Sequence, residues 1–478
     1  LFQNPDEPSH VDRVRHQADH PLDLPDAGLR MRRSVVKTSE AVGLPMRYHQ
    51  GWPGDLTGPR PDFPGFSEGI GPDRPACPDC QSYQYAHPPA YYLLLAPVSA
   101  VLEPAPADLH VLGLRVTGVL LALPLPFLTW WLAIEATRRS AVALAAAALA
   151  ALNGPVVAAT AAVNNDALAF TASAAVLALA ATILRDGPST ARAVGLGAAM
   201  SVAGLTKVTA LPVVLVGGLV LLLAGRRHLG PAVAGLVASV PGALWWLRNL
   251  VVDGRLTPGG TELFDATGPP TAGTESLAGY VSEHLGLLLH RALGLYGWAQ
   301  ALVPAWVAWA ALVGTAGLAL GWARAADRAS AWPSRRLLVL VLAPVASVAA
   351  TVASSYGNHQ RTGAVTGLAG RYLYPSAPII WLAVAAALAS VLARWAPGAL
   401  RWAPAGTVAA AAVAGLASLV ACLNGLYGTA GIRTFLDRAE LVAPVAPAGA
   451  IVAGLAVATV AAAGLAALAA RPGPEPSG

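Results

Sequence analysis

Two long apolar runs stand side by side in this sequence: AVALAAAALAALNGPVVAATAAV, from Ala141 to Val163, and ALAFTASAAVLALAATIL, from Ala167 to Leu184. Each run is close to the length, about 20 residues, that a helix needs to cross the hydrocarbon core of a bilayer. A backbone in lipid must satisfy its own hydrogen bonds, so runs of this kind form helices. We therefore predict neighbouring transmembrane helices here.

The composition of the whole chain points the same way. Of 478 residues, 55% are hydrophobic and 12% charged, and the mean hydropathy is +0.55. Such a chain has too little polar surface to cover a water-soluble globule of its size. The sequence therefore predicts a protein solvated by lipid.

The remaining apolar runs predict an all-α membrane fold, a multi-span helical bundle with about 11 transmembrane helices. The predicted spans lie near residues 112–135, 141–163, 167–184, 193–206, 208–224, 230–250, 301–322, 337–355, 372–393, 403–423 and 448–470.

Arginine is distributed unevenly over the polar links between these spans, which sort into two alternating sets. The first set (137–139, 185–192, 225–229, 323–336, 394–402 and 471–478, with Glu135) holds 13 Arg and 4 acidic residues, a net charge of +9. The second set (164–166, Lys207, 248–300, 356–371 and 424–447) holds 8 basic and 8 acidic residues. The positive-inside rule places the first set in the cytoplasm. The overall charge of +5 reflects this bias, so we expect contact with membrane lipid and no nucleic-acid partner.

This topology divides the chain into three parts. Residues 1–111 form an extracytoplasmic first loop, residues 112–470 the transmembrane domain, and residues 471–478 a disordered cytoplasmic tail. Within the first loop, Val11 to His20 predicts an amphipathic helix lying on the membrane. Because the chain opens at Leu1 without a hydrophobic segment although its first stretch lies outside, we also expect a first helix upstream.

The outer loop carries a Cys-Pro-Asp-Cys pair, Cys77 and Cys80. In an oxidising compartment a local disulfide is the favoured interpretation. A zinc half-site or a redox pair are the alternatives, although no second such pair offers further zinc ligands.

Two motifs in the outer loop contain candidate catalytic or substrate-binding residues. Asn4-Pro5-Asp6-Glu7-Pro8-Ser9-His10 places two carboxylates and an imidazole where the chain would leave the membrane. His87-Pro88-Pro89-Ala90-Tyr91-Tyr92 opens an apolar segment that is too short to span and suits a juxtamembrane helix. Later motifs lie at predicted outer helix ends: Leu114-Arg115-Val116, Asn164-Asn165-Asp166-Ala167-Leu168, Gly204-Leu205-Thr206-Lys207, Trp246-Leu247-Arg248-Asn249 and Gly370-Arg371-Tyr372-Leu373-Tyr374-Pro375.

In their order and placement these motifs resemble the GT-C superfamily of membrane glycosyltransferases, whose members include protein mannosyltransferases and the aminoarabinose transferase. The later motifs are most similar to a bacterial branch of predicted membrane proteins. The resemblance covers Asn4 to about Pro378. It implies a GT-C-type bundle in the bacterial inner membrane, with extracytoplasmic juxtamembrane helices and an active site facing away from the cytoplasm.

The resemblance also implies a reaction, the inverting transfer of a sugar from a polyprenyl-phosphate donor to an extracytoplasmic acceptor. Asp6 would be the general base, because a carboxylate can take the proton of an acceptor hydroxyl. Glu7 and His10 would orient the acceptor or bind a divalent metal ion. The expected substrate and phosphate contacts are Arg115, Lys207, Arg248, Asn249, Arg371, Tyr372, Asn165, Asp166 and His87.

Plainer interpretations remain open. Asp6 and Glu7 would suit the first turn of a helix, and Asn165 with Asp166 would suit a helix N-cap. The arginines would also suit helix ends, where a long side chain can extend its charged group into the aqueous phase. For the whole protein, the alternatives are a transporter of lipid-linked sugars, which predicts charges at mid-membrane, and a non-catalytic subunit of an envelope-assembly complex.

Overall fold

A computed structural model provides the fold. It describes residues 6–25, 29–41, 66, 82–225, 228–257, 275–296, 301–306, 309, 313–314, 317, 335–363, 365–400 and 402–427. Over these residues the chain is helical apart from a two-residue antiparallel pair, in which Leu295–Tyr296 (β1) faces Ala301–Leu302 (β2). The predicted helical class is confirmed.

The outer loop supplies three helices: Glu7–Asp19 (α1), Arg33–Ala41 (α2) and Ala90–Val101 (α3). Val11 and Val14 of α1 pack against Tyr91 and Tyr92 of α3 in one apolar cluster. Almost every side chain of α1 up to Gln17 is buried, whichever way it points. The prediction of a surface helix from residue 11 is therefore wrong, because α1 begins at Glu7 and is enclosed by protein.

The bundle follows from residue 107. Its helices are Ala107–Ala122 (α4), Pro124–Thr137 (α5), Ser140–Ala151 (α6), Gly154–Thr160 (α7), Asp166–Asp186 (α8), Thr190–Gly204 (α9), Leu211–Gly225 (α10), Leu229–Val252 (α11), Leu277–Gly294 (α12), Leu342–Thr362 (α13), Ala377–Trp395 (α14), Pro397–Leu400 (α15) and Ala403–Tyr427 (α16). Short 3-10 segments lie at Tyr83–Ala86, Val208–Ala210, Arg335–Val341 and Gly370–Ser376.

By length and apolarity, five stretches of the described chain can each cross a membrane: Ala107–Thr137, Asp166–Asp186, Leu229–Val252, Leu337–Thr362 and Gly370–Trp395. The bent pair α6 and α7 makes a sixth if it is one span. The predicted spans 193–206, 208–224 and 403–423 also form helices, as α9, α10 and α16. Most of 301–322 and all of 448–470 lie outside the described residues, as do Cys77, Cys80 and the tail 471–478; residues 301–302 form β2.

The expected single span 141–163 is instead broken, with a bend of 55° between α6 and α7. Asn153 begins the second piece, since its side-chain oxygen accepts a hydrogen bond from the Val156 amide at 3.1 Å. Pro155 fills the first turn of α7, where its missing N–H costs nothing but where it cannot continue α6. The sequence Asn153-Gly154-Pro155 therefore interrupts the helix, although the run as a whole is apolar.

Helix α8 is the most buried of these five spans: 78% of an 18-residue apolar stretch within it is buried inside the protein. Beside it, α9 and α11 approach closely through glycines. A Cβ at Gly197 would meet the backbone oxygen of Gly235 at 1.9 Å, and one at Gly242 would meet Ser201 Cα at 2.7 Å. Small residues of this kind let helix backbones touch in membranes. The contact fixes the end of α9, where the chain turns towards Lys207.

Candidate active site

Asp6 and Arg371 are in direct contact although 365 residues separate them. Arg371 Nη2 donates to Asp6 Oδ2 at 2.7 Å. Asp6 is the N-cap residue of α1 but makes no side-chain capping bond, and its backbone is left-handed, with φ 67°. The carboxylate therefore leaves the helix end and turns to the arginine, so the helix-capping interpretation does not account for it.

A buried ion pair lies directly behind this contact. Lys207 Nζ donates to Asp166 Oδ1 at 2.7 Å and to Asn164 Oδ1 at 3.3 Å. Asp166 Oδ2 lies 3.9 Å from Arg371 Nε. Asp166 starts α8, Lys207 follows α9, and Arg371 begins the span Gly370–Trp395. Three helix ends thus bring these charges together at one end of the bundle.

Glu7 forms a second buried pair. Its two oxygens accept hydrogen bonds from Arg115 Nε and Nη2, both at 2.7 Å. One oxygen also accepts from the Val163 amide at 3.0 Å. The bidentate geometry is the strongest form of an arginine–carboxylate contact. Glu7 therefore locks the start of α1 onto α4 and onto the loop that leads to Asp166.

The outer loop adds three further side chains beside Asp6, namely His10, His87 and Tyr92. His10 Nδ1 lies 2.9 Å from the Tyr92 hydroxyl. The two imidazole rings stack with centroids 5.9 Å apart. His10 lies one turn beyond Asp6 on α1, so the helical repeat places its imidazole on the same face as that carboxylate.

Burial and neighbouring charges shift the pKa values of His87, His10 and Glu7. Burial, reinforced by the positive charge of Lys207, lowers the pKa of His87 to about 3. Burial, followed by the neighbouring His87, lowers the pKa of His10 well below its usual value. Burial alone would raise the pKa of Glu7, but the Arg115 guanidinium outweighs it and the pKa is lowered. At neutral pH the site therefore has two neutral imidazoles and an ionised Glu7.

The remaining predicted residues have other partners. Arg248 and Asn249 form a separate group, in which Arg248 Nη1 contacts Asn249 at 3.1 Å and Asp253 at 3.7 Å. Asn165 donates to the Thr206 carbonyl at 3.1 Å rather than capping α8. The Tyr372 ring lies 5.9 Å from the guanidinium carbon of Arg371.

Glu7 and His10, the residues considered for a metal ion, both have partners within the protein. Both Glu7 oxygens accept hydrogen bonds from Arg115, one of them also from Val163, and His10 Nδ1 lies beside the Tyr92 hydroxyl. A metal ion bound here would have to share or displace these contacts. In the described part of the chain, three side chains of metal-ligand type cluster at Glu275, Glu283 and His284.

Sequence reasoning missed Arg13 and Asn164. The Arg13 side chain is completely buried, and none of its three nitrogens has a hydrogen-bond partner among the residues that the structure describes. Its guanidinium carbon lies 5.4 Å from the centre of the Tyr92 ring. The spacing Asp6, His10, Arg13 follows one helix face and was the available signal. Asn164 stood within a quoted motif, but its contact with Lys207 depends on tertiary packing.

Helices of spanning length with an ionic cluster at one end of their bundle define a polytopic membrane protein. The chain belongs to the family DUF2142, described as predicted membrane proteins, which it matches over residues 1–380. The branch expected from the motif order is thereby confirmed.

Two solved structures that are similar to this chain are of one protein. The crystal structure of ArnT from Cupriavidus metallidurans bound to undecaprenyl phosphate is 16% identical, with a TM-score of 0.45, over 98% of this chain and 73% of that chain. The apo state of the same protein gives 16% identity and a TM-score of 0.45, over 98% of this chain and 71% of that chain. No curated protein matches the sequence.

Proposed function

We propose that this protein is a membrane glycosyltransferase that moves a sugar from a polyprenyl-phosphate donor to an acceptor hydroxyl at the extracytoplasmic surface. The observation that carries the proposal is the accessibility of Asp6. Its side chain is 25% exposed, whereas those of Glu7 and Asp166 are fully buried. Of the three carboxylates, Asp6 is the one that a substrate can reach.

Asp6 acts as the general base. It accepts the proton of the acceptor hydroxyl while that oxygen forms a bond to the anomeric carbon from the face opposite the phosphate. The bond between the anomeric carbon and the phosphate oxygen breaks, and its electron pair leaves with the polyprenyl phosphate. The configuration at the anomeric carbon is inverted.

The left-handed backbone at Asp6 supports this role. A non-glycine residue at φ 67° is uncommon, although Asp tolerates it better than most, and such strain clusters at functional sites. Here the conformation directs the carboxylate away from α1 towards Arg371, and Arg371 holds it in place.

Glu7 and Asp166 are positioning residues. Glu7 fixes Arg115 and the loop before Asp166, and Asp166 neutralises Lys207. The leaving phosphate monoester gains one negative charge during the reaction, and cations that face it stabilise that charge. Among the cations near Asp6, Arg371 is 19% exposed, whereas Lys207 is 5% exposed and Arg13 is fully buried. We therefore assign the donor phosphate to Arg371.

The test is transfer by purified full-length protein offered polyprenyl-monophosphate sugars. We expect turnover with wild type and a loss of roughly 100-fold to 10,000-fold in Asp6→Asn, the usual contribution of a general base. Asp23→Asn is the matched control, because Asp23 lies half-exposed in the same outer loop, where it bonds His16.

Undiminished transfer by Asp6→Asn would remove Asp6 from the mechanism. Movement of the intact lipid-linked sugar across vesicles without transfer would establish the transporter instead. No turnover and no movement with any donor, although the protein binds envelope-assembly partners, would favour the non-catalytic subunit.

A further inference from the structure

A second group of ligand-type side chains lies at the beginning of α12, apart from the Asp6 cluster. Glu275, Glu283 and His284 each offer one donor atom, and these atoms lie within 4.8 Å of one another. Glu275 and His284 are partly buried, whereas Glu283 is exposed.

A fourth donor comes from another helix. His359, in the last turn of α13, has its Nε2 3.8 Å from Glu275 Oε2. Its other ring nitrogen, Nδ1, is buried and has no hydrogen-bond partner among the described residues. His359 therefore lies beside Glu275, next to the three clustered donors.

The surrounding contacts hold these donors in place. The Tyr280 ring packs against both histidines, 4.5 Å from the His284 ring and 5.1 Å from that of His359. The Tyr280 hydroxyl meets Ser355 Oγ at 2.7 Å. The Glu275 carbonyl accepts hydrogen bonds from Tyr356 at 3.0 Å and from Gln360 at 2.9 Å. Support of this kind orients ligands before a metal arrives.

We propose that Glu275, Glu283, His284 and His359 form a structural binding site for a divalent transition metal ion, with zinc as the best match. Imidazole nitrogen and carboxylate oxygen are both zinc ligands, at about 2.0 to 2.2 Å. Tetrahedral geometry at those lengths puts ligand atoms about 3.4 Å apart. The three clustered donors need to move inward by roughly 1 Å and His359 by more, which side-chain rotation can supply.

The site connects two elements that support Arg371. Helices α12 and α13 flank the segment 365–376, which carries that arginine. Arg291 of α12 donates to the Leu368 carbonyl at 3.2 Å, and Tyr374 donates to the Ala292 carbonyl at 2.9 Å. A metal joining Glu275 to His359 would hold the two helices together behind this segment. It is distinct from the metal considered for Glu7 and His10, and it does not depend on the proposed reaction.

The experiment is zinc titration of the chelator-stripped full chain by calorimetry, with thermal unfolding followed alongside. We expect one zinc ion per chain and a rise in Tm. Glu275→Gln and His284→Asn should each weaken binding by roughly 100-fold or more, since loss of a mere supporting contact costs 10-fold to 100-fold. The matched control is His290→Asn, on the same helix, where His290 Nε2 binds the Val303 carbonyl instead. It should bind zinc as wild type does.

A measurement on the wild type covers the case of variants that do not fold. Zinc should protect His284 and His359 from acylation by diethyl pyrocarbonate and leave His16 reactive, as read by mass spectrometry. The proposal is overturned if zinc leaves the reactivity of His284 and His359 unchanged, or if folded Glu275→Gln and His284→Asn bind zinc as tightly as His290→Asn. Neither outcome bears on Asp6, so the proposed function is tested separately.

Discussion

Arg13 lies with its guanidinium carbon 5.4 Å from the centre of the Tyr92 ring; it is fully buried, and its nitrogens make no hydrogen bond within the part of the chain that the structure describes. A buried cation without hydrogen bonds is costly, and the ring recovers only about 0.5 to 2 kcal/mol of that cost. Arg13 therefore lowers the stability of the fold.

The first prediction follows from this cost. Arg13→Met should raise the Tm, because it removes a buried charge that makes no hydrogen bond with the described residues. Thermal unfolding measures the effect. Arg33→Met, at an exposed position on α2, should leave the Tm unchanged, and an unchanged or lowered Tm in Arg13→Met would contradict the prediction.

The second prediction concerns the pair formed by Asp166 and Lys207. Either Asp166→Asn or Lys207→Met leaves one charge buried without its partner and should destabilise the protein by about 3 to 5 kcal/mol. The double variant should recover most of that loss, because no unpaired charge remains. Denaturant unfolding of the three variants gives the coupling energy. The half-exposed Asp19, paired with Arg32, is the control: Asp19→Asn should cost less than about 1 kcal/mol. Additive losses in the double variant would show that the pair is not coupled.

The third prediction is a pH dependence of stability. His87 has a pKa of about 3 in the folded protein, and that of His10 is also well lowered, whereas an unfolded histidine titrates near 6.5. Between these values the unfolded chain binds more protons, so stability is complete above pH 6.5 and decreases as the pH falls. Each histidine contributes up to about 1.4 kcal/mol per pH unit. Thermal unfolding from pH 7 to pH 4.5 measures the slope, which His87→Gln should reduce; an unchanged slope would mean that His87 is already protonated in the fold.

The fourth prediction concerns Gly370, which precedes Arg371. A Cβ there would lie 2.1 Å from the Ala292 backbone nitrogen, and backbone atoms cannot yield as a side chain does. Gly370→Ala should therefore displace the segment that carries Arg371, costing about 1 to 3 kcal/mol in stability and weakening donor binding. Gly398→Ala is the control, since nothing lies within 4 Å of a Cβ at that position. Wild-type Tm and donor affinity in Gly370→Ala would show that the contact is not restrictive.

The candidate active site shows which of its features can be predicted from sequence patterns. The motifs around Asp6, Asp166, Lys207 and Arg371 were each recognisable, and all four side chains converge. Their pairing was not predictable, because it depends on how three helix ends meet. Arg115 illustrates the limit: its bidentate contact with the buried Glu7 depends on how α1 packs against α4 and could not be predicted from the motif.

The sequence by itself determined that this is a helical membrane protein and where most of its helices lie. Membrane insertion depends on transfer free energies summed over about 20 consecutive residues, a local quantity that can be read along the chain. Only the tertiary structure decided which carboxylate stays accessible, which arginine is fully buried, and that Glu275 meets His359. Those outcomes depend on packing between residues distant in sequence, where a shift of an ångström or two changes a side chain's partner.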